Sequence, residues 1–142
     1  MELPESLPAR LYLLAYDRRR QRLTARPQLG FLLRAAAMAD LELGGHVGLL
    51  PSAVVTIRDP RQVNRLRNIA SRTLHGGLPA ARVDPRDVAL VALAAAGELP
   101  TVLSRAQRRE HRQRITRLTE RSGSAAPALR KVVQLVKASA AG

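Results

Sequence analysis

The chain has 142 residues, of which 24 are basic and 11 acidic, so its formal net charge is +13. A length of this order suits one domain with a modest core, and we expect residues 1–142 to form a single domain. The absence of cysteine excludes disulfides and thiolate chemistry. The charge excess predicts attraction to polyanions, which include nucleic acid, anionic lipid headgroups and acidic proteins. Because no basic leader precedes an apolar core at the N-terminus, we expect a cytoplasmic protein.

The N-terminal part of the chain predicts a helix followed by a basic turn. Leu7, Leu11 and Leu14 lie near one face of a helix predicted over residues 5–16. The string Asp-Arg-Arg-Arg-Gln-Arg at 17–22 then predicts a turn, and its ordinary interpretation is a solvated loop. Residues 23–26 suit a short extended piece before the next helix.

Residues 31–43 predict the central helix of the fold. Strong helix formers fill this segment, and only Arg34, Asp40 and Glu42 carry charge in it. Apolar residues occur all round the helix rather than on one stripe, and such a helix is normally buried by its neighbours. We therefore expect it to be enclosed on every side.

A small β-hairpin is predicted directly after the central helix. Gly44 and Gly45 end the helix, because a residue with positive φ is favoured there. Residues 47–50 and 53–57 then suit two short strands, with a turn at Pro51. The expected fold class is mainly α, a compact helical domain with this one hairpin.

Further helices follow in the second half of the chain. Asp59-Pro60 and Asp84-Pro85 each predict an N-cap followed by a proline in the first turn, and Ser104 with Gln107 has the pattern of a capping box. Together with glycine stops and apolar spacing, these caps predict helices over 60–75, 88–96, 105–121 and 127–138. The first and last have a clear core-facing stripe, and the second is apolar throughout. The third carries many arginines, which leaves two interpretations open: a solvated helix or a surface that faces a polyanion. These arginines are at positions 105, 108, 109, 112, 114, 117 and 121.

No residue pattern of an active site is present. His46, His75 and His111 lack partners at metal-ligand spacing, so no metal or cofactor is predicted. A nucleophile elbow, a phosphate-cradling glycine loop and a dinucleotide fingerprint are all missing. Asp40 and Glu42 are two residues apart on a helix and therefore point away from each other. The sequence predicts a binding module rather than an enzyme.

Several stretches resemble the Golgi phosphoprotein 3 family in its bacterial branch. In the N-terminal half they are Leu-Tyr-Leu-Leu-Ala-Tyr-Asp at 11–17, the helix and glycine pair at 32–49, and the strand at 54–57. In the C-terminal half they are residues 84–97 and 112–118. The resemblance implies a mainly α-helical peripheral membrane protein that recognises phosphatidylinositol 4-phosphate. Eukaryotic members also act as adaptors that retain glycosyltransferases, so the resemblance implies client proteins as well.

The same resemblance implies candidate site residues. In eukaryotic members a Trp and several Arg form the headgroup pocket. The pocket arginine of the central helix corresponds to Arg34, and the Trp position falls on Ala25, so that contact is absent here. Arg67 lies in a Leu-Arg-Asn-Ile string that resembles the family's Arg-bearing helix. Because only residues 58–83 join the two halves, the resemblance implies a shortened member without the family's middle region.

The leading hypothesis is a peripheral binder of anionic phospholipid headgroups. Arginine suits phosphate because its planar fork makes two parallel hydrogen bonds. For Arg34 the alternative is a structural salt bridge to Asp17, Asp40 or Glu42, because a lone charge in an apolar helix needs a partner. The candidate headgroup-binding residues are Arg18, Arg19, Arg20, Arg22, Arg34 and Arg67.

Two other functions stay open. Helices followed by a hairpin also describe a winged helix, and the positive charge fits nucleic acid. Against this, a recognition helix at 31–43 is apolar where base readers need polar groups. The third possibility is a protein-interaction adaptor without a lipid pocket, which the missing middle region favours.

Overall fold

The computed structural model describes residues 3–44 and 60–141, which are mainly α-helical as predicted. The hairpin predicted over 47–57 and His46 lie outside the described residues. No helix in the described part of the chain is both long and apolar enough to cross a membrane. The elements in chain order are α1 (Leu7–Ala15), β1 (Tyr16–Asp17), β2 (Arg22–Leu23), α2 (Arg26–Glu42), α3 (Pro60–His75), a 3₁₀-helix (Ala80–Arg82), α4 (Pro85–Ala96), α5 (Arg105–Glu110), α6 (Arg112–Arg121) and α7 (Ala125–Ala141).

Helix α4 is the centre of the described fold. It begins as predicted, with the side chain of Asp84 accepting a hydrogen bond from the amide of Arg86 at 2.8 Å. Its residues 88–96 are buried, with Ala95 alone only half-buried, and it contacts α1, α2, α3, α6 and α7. The apolar run thus forms a core helix, and α4 rather than α2 is the element around which the others pack.

The prediction that α2 is enclosed on every side is wrong. Leu32, Ala36 and Ala39 are buried against α1, α4 and α7. On the opposite face, Met38 and Leu41 are 55% and 59% exposed. A neighbouring helix covers only the face turned towards it, so apolar composition all round a helix does not guarantee enclosure all round it.

A two-stranded antiparallel hairpin connects α1 to α2. Tyr16 pairs with Leu23 and Asp17 with Arg22, so the basic turn is the loop of a hairpin. The backbone amide of Thr24 extends the pairing by donating to the carbonyl of Ala15 at 2.7 Å. The extended piece predicted at 23–26 is therefore present in part, beginning one residue earlier and ending before α2.

A buried carboxylate fastens α2 to α1 and α4. Asp40 is 1% exposed. One of its oxygens accepts from the amide of Leu7 at 2.9 Å, and the other accepts from Nη2 of Arg86 at 2.8 Å. Glu42 points elsewhere, as its spacing from Asp40 predicts, and its carboxylate accepts from the amide of Ser124 at 3.2 Å. These two acidic residues of α2 hold the N-termini of other helices.

The single helix predicted over 105–121 is two helices. They meet at His111, whose ring packs edge-on against that of His75 with centroids 4.3 Å apart. The predicted capping box is present, since Ser104 and Gln107 each bond the other's backbone amide. Within the described ranges, no group of three or more His, Cys, Asp or Glu side chains could hold a metal ion.

The apolar stripes predicted for α3 and α7 face the core. α7 begins two residues earlier than predicted, at Ala125, and the outer members of its stripe, Val132 and Val136, are only half-buried. The buried members of the two stripes are Val63, Leu66, Ala70 and Leu74 in α3 and Leu129 and Val133 in α7.

Candidate membrane-binding surface

The outward face of α2 carries a stripe of apolar side chains around one arginine. Residues 31, 34, 38 and 41 follow helical spacing and so lie on one face. Phe31, Met38 and Leu41 are all exposed, and the guanidinium carbon of Arg34 lies 6.0 Å from the ring centroid of Phe31. We call these four residues the α2 stripe. Its three apolar members were absent from the predicted site because the whole helix was expected to be enclosed.

The salt bridges considered for Arg34 do not form. Asp40 is paired with Arg86, and Glu42 is bonded to Ser124. Asp17 is held by the hairpin turn and lies 4.0 Å from Nε of Arg20. Among the described residues, all three carboxylates considered are thus engaged elsewhere, and the side chain of Arg34 stays on the surface beside Phe31.

The hairpin turn presents four exposed arginines from a fixed backbone. Oδ1 of Asp17 accepts hydrogen bonds from the amides of Arg19 at 2.9 Å and of Arg20 at 3.3 Å, which is the turn-forming habit of aspartate. Nη1 of Arg18 donates to Oδ1 of Asn64 on α3 at 3.2 Å. We call this unit the basic hairpin; its arginines are Arg18, Arg19, Arg20 and Arg22.

Arg67 lies against the basic hairpin, half-buried on α3. Its Nη2 donates to the carbonyl of Tyr16 at 3.4 Å. Its Nε is buried and has no hydrogen-bond partner in the described part of the chain. The structure therefore brings Arg67 and the hairpin arginines together, whereas no hydrogen bond or ion pair among the described residues joins Arg34 to them. The predicted site residues form two groups, one on the hairpin and α3 and the other on α2.

The carboxyl group that organises the hairpin turn has a lowered pKa. Hydrogen bonds from the amides of Arg20 and Arg19, helped by the charges of Arg20 and Arg67, hold the pKa of Asp17 below its ordinary value of 3.8. Because the folded-state pKa is the lower one, the stabilisation from ionised Asp17 is complete above the ordinary value. It is lost as the pH falls through the folded-state pKa.

We expect carboxyl NMR to place the titration midpoint of Asp17 below 3.8. Asp87 is an internal control, because burial and the neighbouring charge of Asp84 raise its pKa above the same ordinary value. A midpoint for Asp17 at or above that of Asp87 would show that this carboxylate does not hold the turn.

Ala25, where the resemblance places the family's Trp, lies between the hairpin and α2. It is the N-cap of α2, has a left-handed φ of 52° and makes no side-chain cap. Its methyl group packs against the core. This position therefore supplies no aromatic ring for a headgroup, and Phe31 is the aromatic side chain of the α2 stripe.

Comparison with known proteins identifies the family. The family model described as Golgi phosphoprotein 3 (GPP34) matches residues 46–136, more than half of the chain. The chain therefore belongs to the Golgi phosphoprotein 3 family, as the resemblance indicated. The matched range contains Arg67, whereas the basic hairpin and α2 precede it. Searches of curated proteins and of solved structures found no match.

Proposed function

We propose that this protein is a non-catalytic peripheral membrane module that binds anionic phospholipid headgroups through the α2 stripe and the basic hairpin. The observation that carries the proposal is the α2 stripe, in which Phe31, Met38 and Leu41 are exposed around Arg34. A cluster of exposed apolar side chains is typical of an interaction surface. A helix face that combines such side chains with a cation suits the boundary between headgroups and acyl chains.

The free energy of membrane binding requires contributions from both the apolar and the basic residues. Full burial of a large apolar side chain stabilises by about 1.5–3 kcal/mol, and the stripe residues begin partly buried, so each gains less. A basic residue close to an anionic surface contributes about 1 kcal/mol. Each contribution is small by itself, so stable binding needs several of both kinds. We therefore expect strong binding to anionic vesicles and weak binding to neutral ones.

Family membership suggests which headgroup to test first. The resemblance implies phosphatidylinositol 4-phosphate, whose phosphates match the planar forks of arginine. Arg67 and Arg18 are the candidates for such a contact, because both lie where α3 meets the hairpin. The proposal places the protein on the cytoplasmic surface of a membrane. Glycosyltransferase-like clients, also implied by the resemblance, would bind in addition to the lipid.

Vesicle flotation tests the proposal. The compositions are phosphatidylcholine alone, phosphatidylcholine with phosphatidylserine, and phosphatidylcholine with phosphatidylinositol 4-phosphate at equal total charge. We expect flotation with both anionic compositions, and more with the phosphoinositide if Arg67 and Arg18 bind its headgroup. Equal flotation with neutral and anionic vesicles would contradict the proposal.

Two matched variants test the α2 stripe. The double variant Met38→Ser/Leu41→Ser removes exposed apolar groups and should reduce flotation without a loss of stability. Leu135→Ser is the control, since Leu135 is 68% exposed on α7 and outside the stripe. Loss of flotation in the control to the same degree would show that the apolar contribution is not specific to α2.

The nucleic-acid alternative has a separate test. It depends on the hairpin predicted over 47–57, which lies outside the described residues. The exposed face of α2 offers one arginine among three apolar side chains, whereas bases are recognised by polar side chains. Tight, salt-sensitive retention of random duplex DNA in a gel shift, together with no flotation, would replace the membrane proposal. Binding to neither would leave the protein adaptor, for which a pulldown from the native host is the test.

A further inference from the structure

A cleft lined with arginines lies where the end of α4, α5, α6 and α7 meet. Its volume is about 400 Å³, which is within the range of small-molecule sites. None of the residues of the α2 stripe or of the basic hairpin lines it, and neither does Arg67. We call it the arginine cleft. Its arginines are Arg105, Arg108, Arg109, Arg112 and Arg130, and its apolar lining is Ala95, Ala96, Ile115 and Ala126.

The one carboxylate that lines the cleft is already paired with two cationic side chains. Oε2 of Glu98 lies 3.3 Å from Nη1 of Arg108, and Oε1 of Glu98 lies 2.9 Å from Nζ of Lys137. Burial by itself would raise the pKa of Glu98, but the hydrogen bond from Lys137 and the charges of Arg108 and Lys137 outweigh it and hold the pKa below its ordinary value. Glu98 is thus fully ionised at neutral pH and balanced by two cations.

The remaining arginines give the cleft an excess of positive charge. In the described part of the chain, Arg105, Arg109, Arg112 and Arg130 form no ion pair with a carboxylate. Such a concentration of one sign of charge in a concave surface attracts anions. The cleft therefore has the electrostatics of an anion-binding site.

The donors and the apolar lining specify the kind of anion. The exposed guanidinium groups of Arg105, Arg109, Arg112 and Arg130 line the cleft, and Nε of Arg108 beneath them is buried without a hydrogen-bond partner among the described residues. Guanidinium groups bind phosphate through paired N–H donors. The side chains of Ile115 and of the three alanines offer an apolar surface beside these donors. A phosphate joined to an apolar group would accept hydrogen bonds from the guanidinium groups and cover the apolar surface.

We propose that the arginine cleft binds a small phosphate monoester, with the phosphate against the arginines and the apolar group against the alanines and Ile115. This inference goes beyond the membrane proposal, because it assigns a ligand to a separate surface. The phosphate could be carried by a free metabolite or by a lipid headgroup, and the chemistry of recognition is the same for both.

Calorimetric titration with phenyl phosphate tests the site. We expect saturable binding that is tighter than that of inorganic phosphate, which lacks the apolar group, and tighter than that of phenol, which lacks the phosphate. Loss of a hydrogen bond to a charged group costs about 1.5–3 kcal/mol, so Arg109→Ala/Arg112→Ala should weaken binding at least about tenfold. Arg117→Ala/Arg121→Ala is the matched control, because both side chains are exposed on α6 and neither lines the cleft, and it should leave the affinity unchanged.

A second variant is expected to bind more tightly, which is a result that misfolding would not produce. Glu98→Gln removes the carboxylate charge and releases Arg108 and Lys137, so phenyl phosphate should bind severalfold more tightly. Absence of saturable binding to the wild-type protein would overturn the proposal. Equal weakening in Arg117→Ala/Arg121→Ala and in Arg109→Ala/Arg112→Ala would also overturn it, since that result indicates diffuse attraction.

Vesicles of phosphatidylcholine with phosphatidic acid distinguish the two sources of phosphate. If phenyl phosphate displaces the protein from these vesicles, the cleft holds a lipid headgroup; if it does not, the cleft holds a free phosphate monoester. Both results support a phosphate site. Variants of the basic hairpin should lose vesicle binding but keep phenyl phosphate binding, so that failure of either proposal can be recognised separately.

Discussion

Replacing Asp40 with alanine is expected to lower the free energy of unfolding by about 3–5 kcal/mol, the cost of breaking a buried ion pair by removing one partner. The carboxylate is 1% exposed and bonds both the amide of Leu7 and Nη2 of Arg86. Its removal leaves the first amide of α1 unsatisfied and a half-buried guanidinium without its carboxylate. Because small domains are stable by only about 5–15 kcal/mol, this is a large part of the total.

Urea unfolding at neutral pH measures this effect. Asp40→Asn keeps one acceptor, so its free energy of unfolding should fall by less. This variant can be measured even if the alanine variant does not fold. The double variant Asp40→Ala/Arg86→Met removes both charges and should be more stable than the sum of the single losses predicts. A loss below about 1 kcal/mol for Asp40→Ala would show that this carboxylate does not fasten the three helices.

Reversing three charges of the basic hairpin is expected to abolish binding to anionic vesicles. Each basic residue near an anionic surface contributes about 1 kcal/mol, so neutralising three would weaken binding about hundredfold. Reversing the three charges should weaken binding still further. The variant is Arg18→Glu/Arg19→Glu/Arg20→Glu, and all three side chains are exposed. The bonds that hold the turn come from backbone amides, so thermal stability should change little.

The control for this variant removes the same charge from other surfaces. Arg117→Glu/Arg121→Glu/Lys131→Glu reverses three exposed basic residues on α6 and α7. If the hairpin is the docking element, this control should keep most of the affinity of the wild-type protein in vesicle titrations. Equal losses in the two variants would mean that overall net charge, rather than the hairpin, determines attraction to the membrane.

The helices that could be predicted are those whose signals are local. Asp84 with Pro85, and Ser104 with Gln107, are caps that act within one turn and form as expected. The apolar spacing of α3 is equally local, since a stripe at helical period has only one face to bury. These features depend little on the rest of the chain, and the mainly α fold follows from them.

The features that could not be predicted depend on neighbours distant in sequence. Exposure of the α2 stripe depends on which helices pack against α2, and composition does not contain that information. The spacing of residues 31, 34, 38 and 41 places them on one face of α2, but it does not say whether another helix covers that face. The break at His111 has no glycine or proline to mark it. The arginine cleft exists only because the end of α4 meets α5, α6 and α7.

The most direct test of the membrane proposal is a fluorescent probe on the α2 stripe. The chain has no cysteine, so Met38→Cys allows one environment-sensitive dye to be attached, and Leu135→Cys on α7 is the matched control. With vesicles containing phosphatidylinositol 4-phosphate, we predict a blue-shifted emission from the dye at position 38 and quenching of it by lipids that carry a quencher in their acyl chains. The dye at position 135 should show neither effect. If the protein binds these vesicles while the dye at position 38 keeps the emission of a dye in water, the α2 stripe does not face the membrane. The proposed function would then be wrong.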